Sequence, residues 1–176
     1  MIIIMGVAGA GKSVQGRWLA DEIGLPWLST GEFLRMLVSG ERRKEMLAGK
    51  LLDDTEMINL ADRIFHMINL DEEFVLDGFP RTLGQAEWLI AQHKAGLINI
   101  TKVIHLEASE EVVTKRLLER GRKDDTKEAI QARFAEYRSV TLPIIDDFES
   151  KNIEVLRVAG EGTPEQIHQT IMSSLE

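Results

Sequence analysis

The sequence predicts one α/β domain whose parallel sheet, of about five strands, carries helices on both faces. Three observations point there. Short apolar runs bounded by turn residues alternate with helical periodicities along all 176 residues. The first of these runs breaks into a glycine-rich loop that leads straight into a helical stretch. No repeat, low-complexity tract or linker composition divides a chain whose length suits a single core.

Taken in order, residues 1–5 are apolar and end at Gly6, which reads as a buried strand entering a turn. Residues 12–23 read as a helix with Trp18, Leu19 and Ile23 on one side. Pro26-Trp27-Leu28 suggests a short second strand, and "STGE" at 29–32 matches a capping box that opens a helix to about Val38. The polar segment "SGERRKEMLAGK" has room for one more short helix. From Thr55, Met57, Leu60, Ala61, Ile64, Phe65 and Ile68 recur at helical spacing. "FVLDGFPR" reads as a strand and a sharp turn, residues 83–93 as a helix, and "KVIHLEAS" as a strand. Ser109 stands as N-cap of a helix whose first turn holds Glu110 and Glu111, favourable beside the helix dipole. A long helix follows from about Thr126, interrupted near Pro143. "IEVLRVAG" reads as the last strand, and "TPEQ" at 163–166 combines an N-cap, proline at the first helical position and a box glutamine.

Composition narrows the function classes. A net charge of −8 argues against general nucleic-acid affinity, which needs a basic footprint. No apolar run approaches the roughly 18–20 residues of a membrane span. Residues 2–5 are too short for a signal sequence and lack a basic leader, so a cytoplasmic location is expected. With no cysteine there is no disulfide framework and no thiolate zinc site. Several of the twelve arginines nevertheless stand beside glycines or loop signals, where a small anion can be gripped.

The stretch Gly6-Val7-Ala8-Gly9-Ala10-Gly11-Lys12-Ser13 satisfies G-x-x-x-x-G-K-[ST], the P-loop pattern. Glycines let the backbone turn its N–H groups around phosphate oxygens, and the following helix adds its positive end. Lys12 is placed to reach the outer phosphates and the Ser13 hydroxyl to meet Mg²⁺. At background frequencies the pattern arises about once in 30,000 positions, which favours nucleotide binding over a glycine-rich turn with a surface lysine. The fold expected is therefore a P-loop NTPase-type sheet. A GTP switch would add an Asn-Lys-x-Asp guanine reader, and the sequence has none.

Four stretches read together resemble the adenylate kinase branch of the nucleoside monophosphate kinases: "GVAGAGKSVQ" at 6–15, "STGEFLR" at 29–35, "LDGFPRTLGQ" at 76–85 and "ERGRKDD…QARF" at 119–134. The resemblance spans nearly the whole chain, and "DGFPRT" is its most specific part. It implies a core with a small monophosphate-binding arm, about 29–58, and a short lid, about 119–126. It further implies that Gly9, Ala10, Gly11, Lys12, Ser13 and Val14 wrap the ATP phosphates, while Arg120 lies against the ATP adenine and Gly162 near it. By the same resemblance, Thr30, Arg35, the Lys50-Leu51-Leu52 segment, Gly78, Phe79, Pro80, Arg81 and Gln85 are expected to form the AMP site. Arg122 and Arg133 grip the phosphates during transfer from the lid side. Asp77 resembles the carboxylate that holds the water shell of magnesium.

The chemistry agrees independently. A monophosphate acceptor oxygen is already anionic at neutral pH, so transfer requires positioning and charge neutralisation rather than a general base. Lysine, Mg²⁺ and bidentate arginines supply that, with Lys12, Arg81, Arg122 and Arg133 expected to carry the transition-state charge and Arg35 the AMP phosphate. Gln85 can accept from an adenine amino group and donate to a ring nitrogen; the resemblance adds that Thr30 with Gln85 favours AMP, since related CMP and UMP kinases typically carry alanine and asparagine there. The implied reaction is ATP + AMP ⇌ 2 ADP, Mg²⁺-dependent and zinc-free, in a monomer. The alternatives are a CMP or UMP kinase on the same scaffold, or a regulatory ATPase that hydrolyses ATP slowly without an acceptor.

Duller readings stand beside these. Thr30 and Glu32 can simply cap a helix, and Asp124 and Asp125, which resemble the family's lid-hinge acids, can simply cap the next one. Arg116, Arg42, Arg43 and Lys44 read as solvated-face residues, the three tryptophans as core or boundary aromatics, and His66 and His105 as structural. The chain also departs from the family pattern with Ala8, Ser13 and Val14 in the loop, Glu32 in place of aspartate, "GKLLDD" in the arm and a clipped lid.

Overall fold

The computed structural model describes residues 1–37, 39–41, 44, 53–122 and 125–175. Along these, strand β1 (Ile2–Gly6) leads to helix α1 (Lys12–Ile23), β2 (Trp27–Ser29) and α2 (Thr30–Leu37). Then come α3 (Asp54–Phe65), β3 (Val75–Asp77), α4 (Leu83–Lys94), β4 (Lys102–Glu107) and α5 (Glu110–Arg120). The chain closes with α6 (Lys127–Glu136), a π-type turn (Tyr137–Thr141), α7 (Pro143–Ser150), β5 (Val155–Ala159) and α8 (Pro164–Leu175). The five strands form one parallel sheet in the order β2-β3-β1-β4-β5. Registers such as Ile4↔Asp77, Gly6↔Leu106, Ser29↔Asp77 and Glu107↔Ala159 bring the carboxyl ends of all five strands to one edge. The order reverses around β1, and in open parallel sheets the crevice at that point receives ligands.

Period-two alternation divides the core into two layers. Ile3 and Met5 face Leu76, Phe79, Phe65, Leu89 and Phe148, beneath α3, α4 and α7. Ile2 and Ile4 face Leu19, Ile104, Leu117, Phe134 and Ile171, beneath α1, α5, α6 and α8. This burial on both faces is why the central strands read as continuous apolar runs. The Met57, Ala61, Ile64, Phe65 stripe is buried as its spacing predicts. In α1 the buried residues are Gln15, Gly16, Leu19 and Ala20, whereas Trp18 and Ile23 lie at the surface, one step off the predicted face.

The caps came out unevenly. The reciprocal box at 163–166 forms: the Thr163 N–H donates to Gln166 Oε1 at 2.9 Å, and the Gln166 N–H to Thr163 Oγ1 at 3.3 Å. The box expected at 29–32 does not, because its side chains have stronger tertiary partners. Ser29 Oγ donates to Asp77 Oδ2 at 3.2 Å, and Glu32 takes the Arg17 guanidinium at 3.1 and 3.2 Å. Ser109 occupies the N-cap of α5, but its hydroxyl makes no capping bond. Thr126, not an aspartate, caps α6, accepting the Ala129 N–H at 3.2 Å. Pro143 begins α7. Among the described residues no helix is long and apolar enough to cross a membrane.

Candidate active site

The phosphate loop connects β1 to α1, and its glycines are required where they stand. A Cβ on Gly6 would lie 2.5 Å from the Leu106 carbonyl oxygen, at φ +143°. Gly9, at φ +89°, sits against Leu117 and Val113. Lys12, the first residue of α1, folds its ammonium back onto the Gly6 and Val7 carbonyl oxygens at 2.7 and 3.0 Å. Desolvation lowers its pKa to about 8; Asp77 opposes the shift, and Arg81 and Arg120 add to it. Ser13 Oγ donates to Asp77 Oδ2 at 2.6 Å, the oxygen that also takes Ser29, and the Asp77 carbonyl accepts from Thr30 Oγ1 at 3.3 Å. Asp77 is buried, so loop, β2 and β3 are joined through one enclosed carboxylate.

A second wall lies between α2 and the turn after β3. Arg81 Nε donates to the Gly78 carbonyl at 2.8 Å, and Thr141 Oγ1 donates to the Arg81 carbonyl at 2.8 Å. The Cβ that Gly31 lacks would lie 3.6 Å from the Arg35 guanidinium and 3.7 Å from that of Arg81. A Cβ on Gly78, at φ +86°, would strike Thr30 Oγ1 at 2.9 Å and Arg81 at 3.2 Å. Two guanidiniums thus converge on a floor of glycine backbone. Burial pulls the Arg81 pKa down, with the nearby Arg133 and Arg35 acting in the same direction against Asp77 and Glu136. Arginine remains charged through such a shift.

A third group stands at the junction of α5 and α6. Asp125, its side chain fully enclosed, takes the Arg120 guanidinium bidentately at 2.9 and 2.7 Å, Arg133 at 3.3 Å and the Arg122 N–H at 3.2 Å. It is therefore an organiser of arginines rather than a helix cap. Burial raises its pKa, but hydrogen bonds and charge from Arg120, with Arg122 and Arg133, outweigh that and leave it low.

One sequence expectation is corrected. Arg116 is not a solvated-face residue: its guanidinium donates to the carbonyls of Gly160 at 2.5 Å and Gly162 at 3.0 Å. Ala159 and Glu161, on either side of Gly160, line a cavity of about 320 Å³ together with Glu107, Ala108 and Ser109. Arg120, one helical turn later, pairs with Asp125. Phe79 points into the core, edge-on to Trp88, so only its backbone and that of neighbouring buried Pro80 remain available to a ligand. Ala10 is buried and Val14 exposed. Lys50, Leu51, Leu52, Arg42, Arg43 and Asp124 lie outside the described residues. Sequence reasoning also passed over Ser29 and Asp54. Asp54 Oδ1 accepts from Thr82 Oγ1 at 2.7 Å and Gln85 Nε2 at 2.9 Å. His105 is buried against Tyr137, and His66 is exposed at the end of α3. Among the described residues no group of three or more His, Asp or Glu side chains could hold a metal ion by itself.

Comparison with known proteins places this arrangement. The family model described as adenylate kinase matches residues 4–153. An adenylate kinase of Corynebacterium urealyticum is 33% identical over 99% of this chain and 98% of its own length. Those of Leptospira biflexa and Thermus thermophilus are each 36% identical over 99% of this chain, and over 98% and 96% of their own lengths. With the phosphate loop, the "DGFPRT" turn and the arginines already gathered at one sheet edge, these matches mean that the chain belongs to the adenylate kinase family.

Proposed function

We propose that this phosphotransferase moves the terminal phosphoryl group of ATP onto AMP, reversibly and with Mg²⁺, giving two ADP. The observation that carries the reading is the convergence of cations from separate elements on one crevice. Lys12, Arg35, Arg81, Arg120 and Arg133 stand close enough to perturb one another or to share a carboxylate. Such crowding of like charge is unfavourable by itself and becomes favourable once a polyanion enters.

In this reading Gly9, Ala10, Gly11, Lys12, Ser13 and Val14 enclose the ATP phosphates, and Arg120, Arg122 and Arg133 grip them from the α5–α6 side. Arg116 holds the Gly160–Gly162 turn that borders the ATP base. Thr30, Arg35, Gly78 to Arg81 and Gln85 receive AMP, with Lys50, Leu51 and Leu52 in the arm about 29–58. That arm and the lid about 119–126 close over the two nucleotides and exclude water, the competing acceptor. Closure brings the acceptor oxygen into line, and the arginines meet charge where it develops. Ser13 and Asp77 form a hard-oxygen pair 2.6 Å apart, a donor set suited to Mg²⁺ held partly through water. Bound there, the ion supplies neutralisation of charge on the transferred phosphoryl group. The chain is proposed to act as a monomer in the cytoplasm.

The test is ADP formation from Mg-ATP with AMP, CMP, UMP, GMP or no acceptor in parallel. Turnover that requires AMP is expected, and slow turnover indifferent to every monophosphate overturns the reading. Arg81→Ala and Arg133→Ala are each expected to lower kcat by at least about a hundredfold with the far-UV spectrum unchanged. Near-wild-type rates in either would remove that residue from the assignment.

A further inference from the structure

The acceptor reading assigns Gln85 to the base, but an amide offers both a donor and an acceptor. A half-turn about its last bond exchanges the two, so a free glutamine reads opposite base edges equally well. Here the amide is held at both ends. Gln85 Oε1 accepts the Arg81 backbone N–H at 2.8 Å, and Nε2 donates to Asp54 Oδ1 at 2.9 Å. A backbone N–H only donates and a carboxylate only accepts, so the reversed amide would lose both bonds.

Asp54 is itself held. Its Oδ1 takes the Thr82 hydroxyl at 2.7 Å, and its Oδ2 lies 2.7 Å from where a Cβ on Gly84 would stand, so glycine is what admits the carboxylate. Capping of α3 does not require it, because Asp53 accepts the Thr55 N–H. Gln85 is buried, which makes an unpaired amide orientation costly.

We propose that Asp54 is a positioning residue that sets the acceptor-base selectivity by holding the Gln85 amide in one orientation. The remaining Oε1 lone pair and Nε2 hydrogen then suit a base edge with an amino donor beside a ring-nitrogen acceptor, as in adenine. They oppose the carbonyl and N–H edge of hypoxanthine, guanine or uracil. The inference rests on the acceptor-site reading above.

AMP and IMP differ at this edge alone, so the test is kcat/KM for each as acceptor, with ATP as donor, in the full chain. Wild type, Asp54→Asn, Asp54→Ala and Gln85→Ala are compared, with thermal midpoints recorded. A preference for AMP over IMP is expected in wild type, collapsing in Gln85→Ala. In Asp54→Asn, where residue 54 can accept or donate, the ratio is expected to fall at least tenfold, partly through a gain with IMP. A merely structural role would lower both acceptors together. An AMP:IMP ratio within twofold of wild type in both Asp54 variants, with Gln85→Ala collapsed, overturns the inference and leaves the acceptor site standing. Absence of AMP-dependent turnover in wild type, or a ratio unmoved in Gln85→Ala, overturns both.

Discussion

Burial changes the chemistry of the Lys12 ammonium. With its pKa lowered to about 8 by burial, a growing fraction is neutral in the free protein above that pH. A polyphosphate beside the ammonium favours the charged form and restores the proton. ATP binding is therefore expected to take up close to one proton at about pH 9 and little at about pH 7, with affinity declining as pH rises through 8. Titration calorimetry in buffers of different ionisation enthalpy measures this directly; equal proton uptake at both pH values would refute it. The stability sign follows from the same shift. Between about 8 and the ordinary 10.5 the unfolded chain holds more protons at this site, so the unfavourable contribution of Lys12 is present below 8 and fades as pH rises across that window.

At the scale of elements, the α5–α6 junction is organised by one carboxylate. Asp125 receives Arg120 from the end of α5, the Arg122 N–H from the turn and Arg133 from within α6. Because its folded pKa lies below the ordinary 3.8, its contribution is full above that value and is lost as pH falls through the lower folded value. Asp125→Asn keeps the shape and removes the charge from these hydrogen bonds. It is expected to cost about 2 kcal/mol, or about 4–8 °C of thermal midpoint in a domain of this size. The difference from wild type should narrow as pH falls from about 5 towards 3; a difference constant over that range would mean that the charge contributes nothing. ATP affinity should fall as well, since Arg120 and Arg133 lose their common anchor.

At the scale of the molecule, a sheet covered on both faces separates stability from the site. Phe148 on α7 is fully buried against the β1 layer, while Lys12 and Arg81 lie just beyond the carboxyl ends of β1 and β3. Phe148→Ala is expected to cost about 3–5 kcal/mol, through lost burial and the cavity left behind. Well below its lowered midpoint the variant should keep the AMP preference and kcat/KM of wild type. Denaturant titration and the acceptor assay check the two halves independently. A variant that lost acceptor preference in step with stability would show that site and core are not separable in this way.

What the sequence determined by itself is what periodicity and local spacing encode. The alternation of apolar runs and helical stripes predicts the parallel sheet. The G-x-x-x-x-G-K-S spacing places Lys12 and Ser13 at the start of α1. Thr163 and Gln166 close their own box, because both partners lie within one turn. Tertiary structure decided what depends on partners distant along the chain. Ser29 gave up a local cap for Asp77, 48 residues away, and Glu32 left its box for Arg17. Arg116 and Arg120 share a helix one turn apart and are indistinguishable by pattern. They are separated only because β5 returns Gly160 and Gly162 beside the first, while Asp125 stands beside the second. The orientation of Gln85 likewise waits on Asp54, 31 residues earlier and on another helix. Periodicity records which face of an element is apolar; the partner of a charge is set by which elements the sheet order makes neighbours.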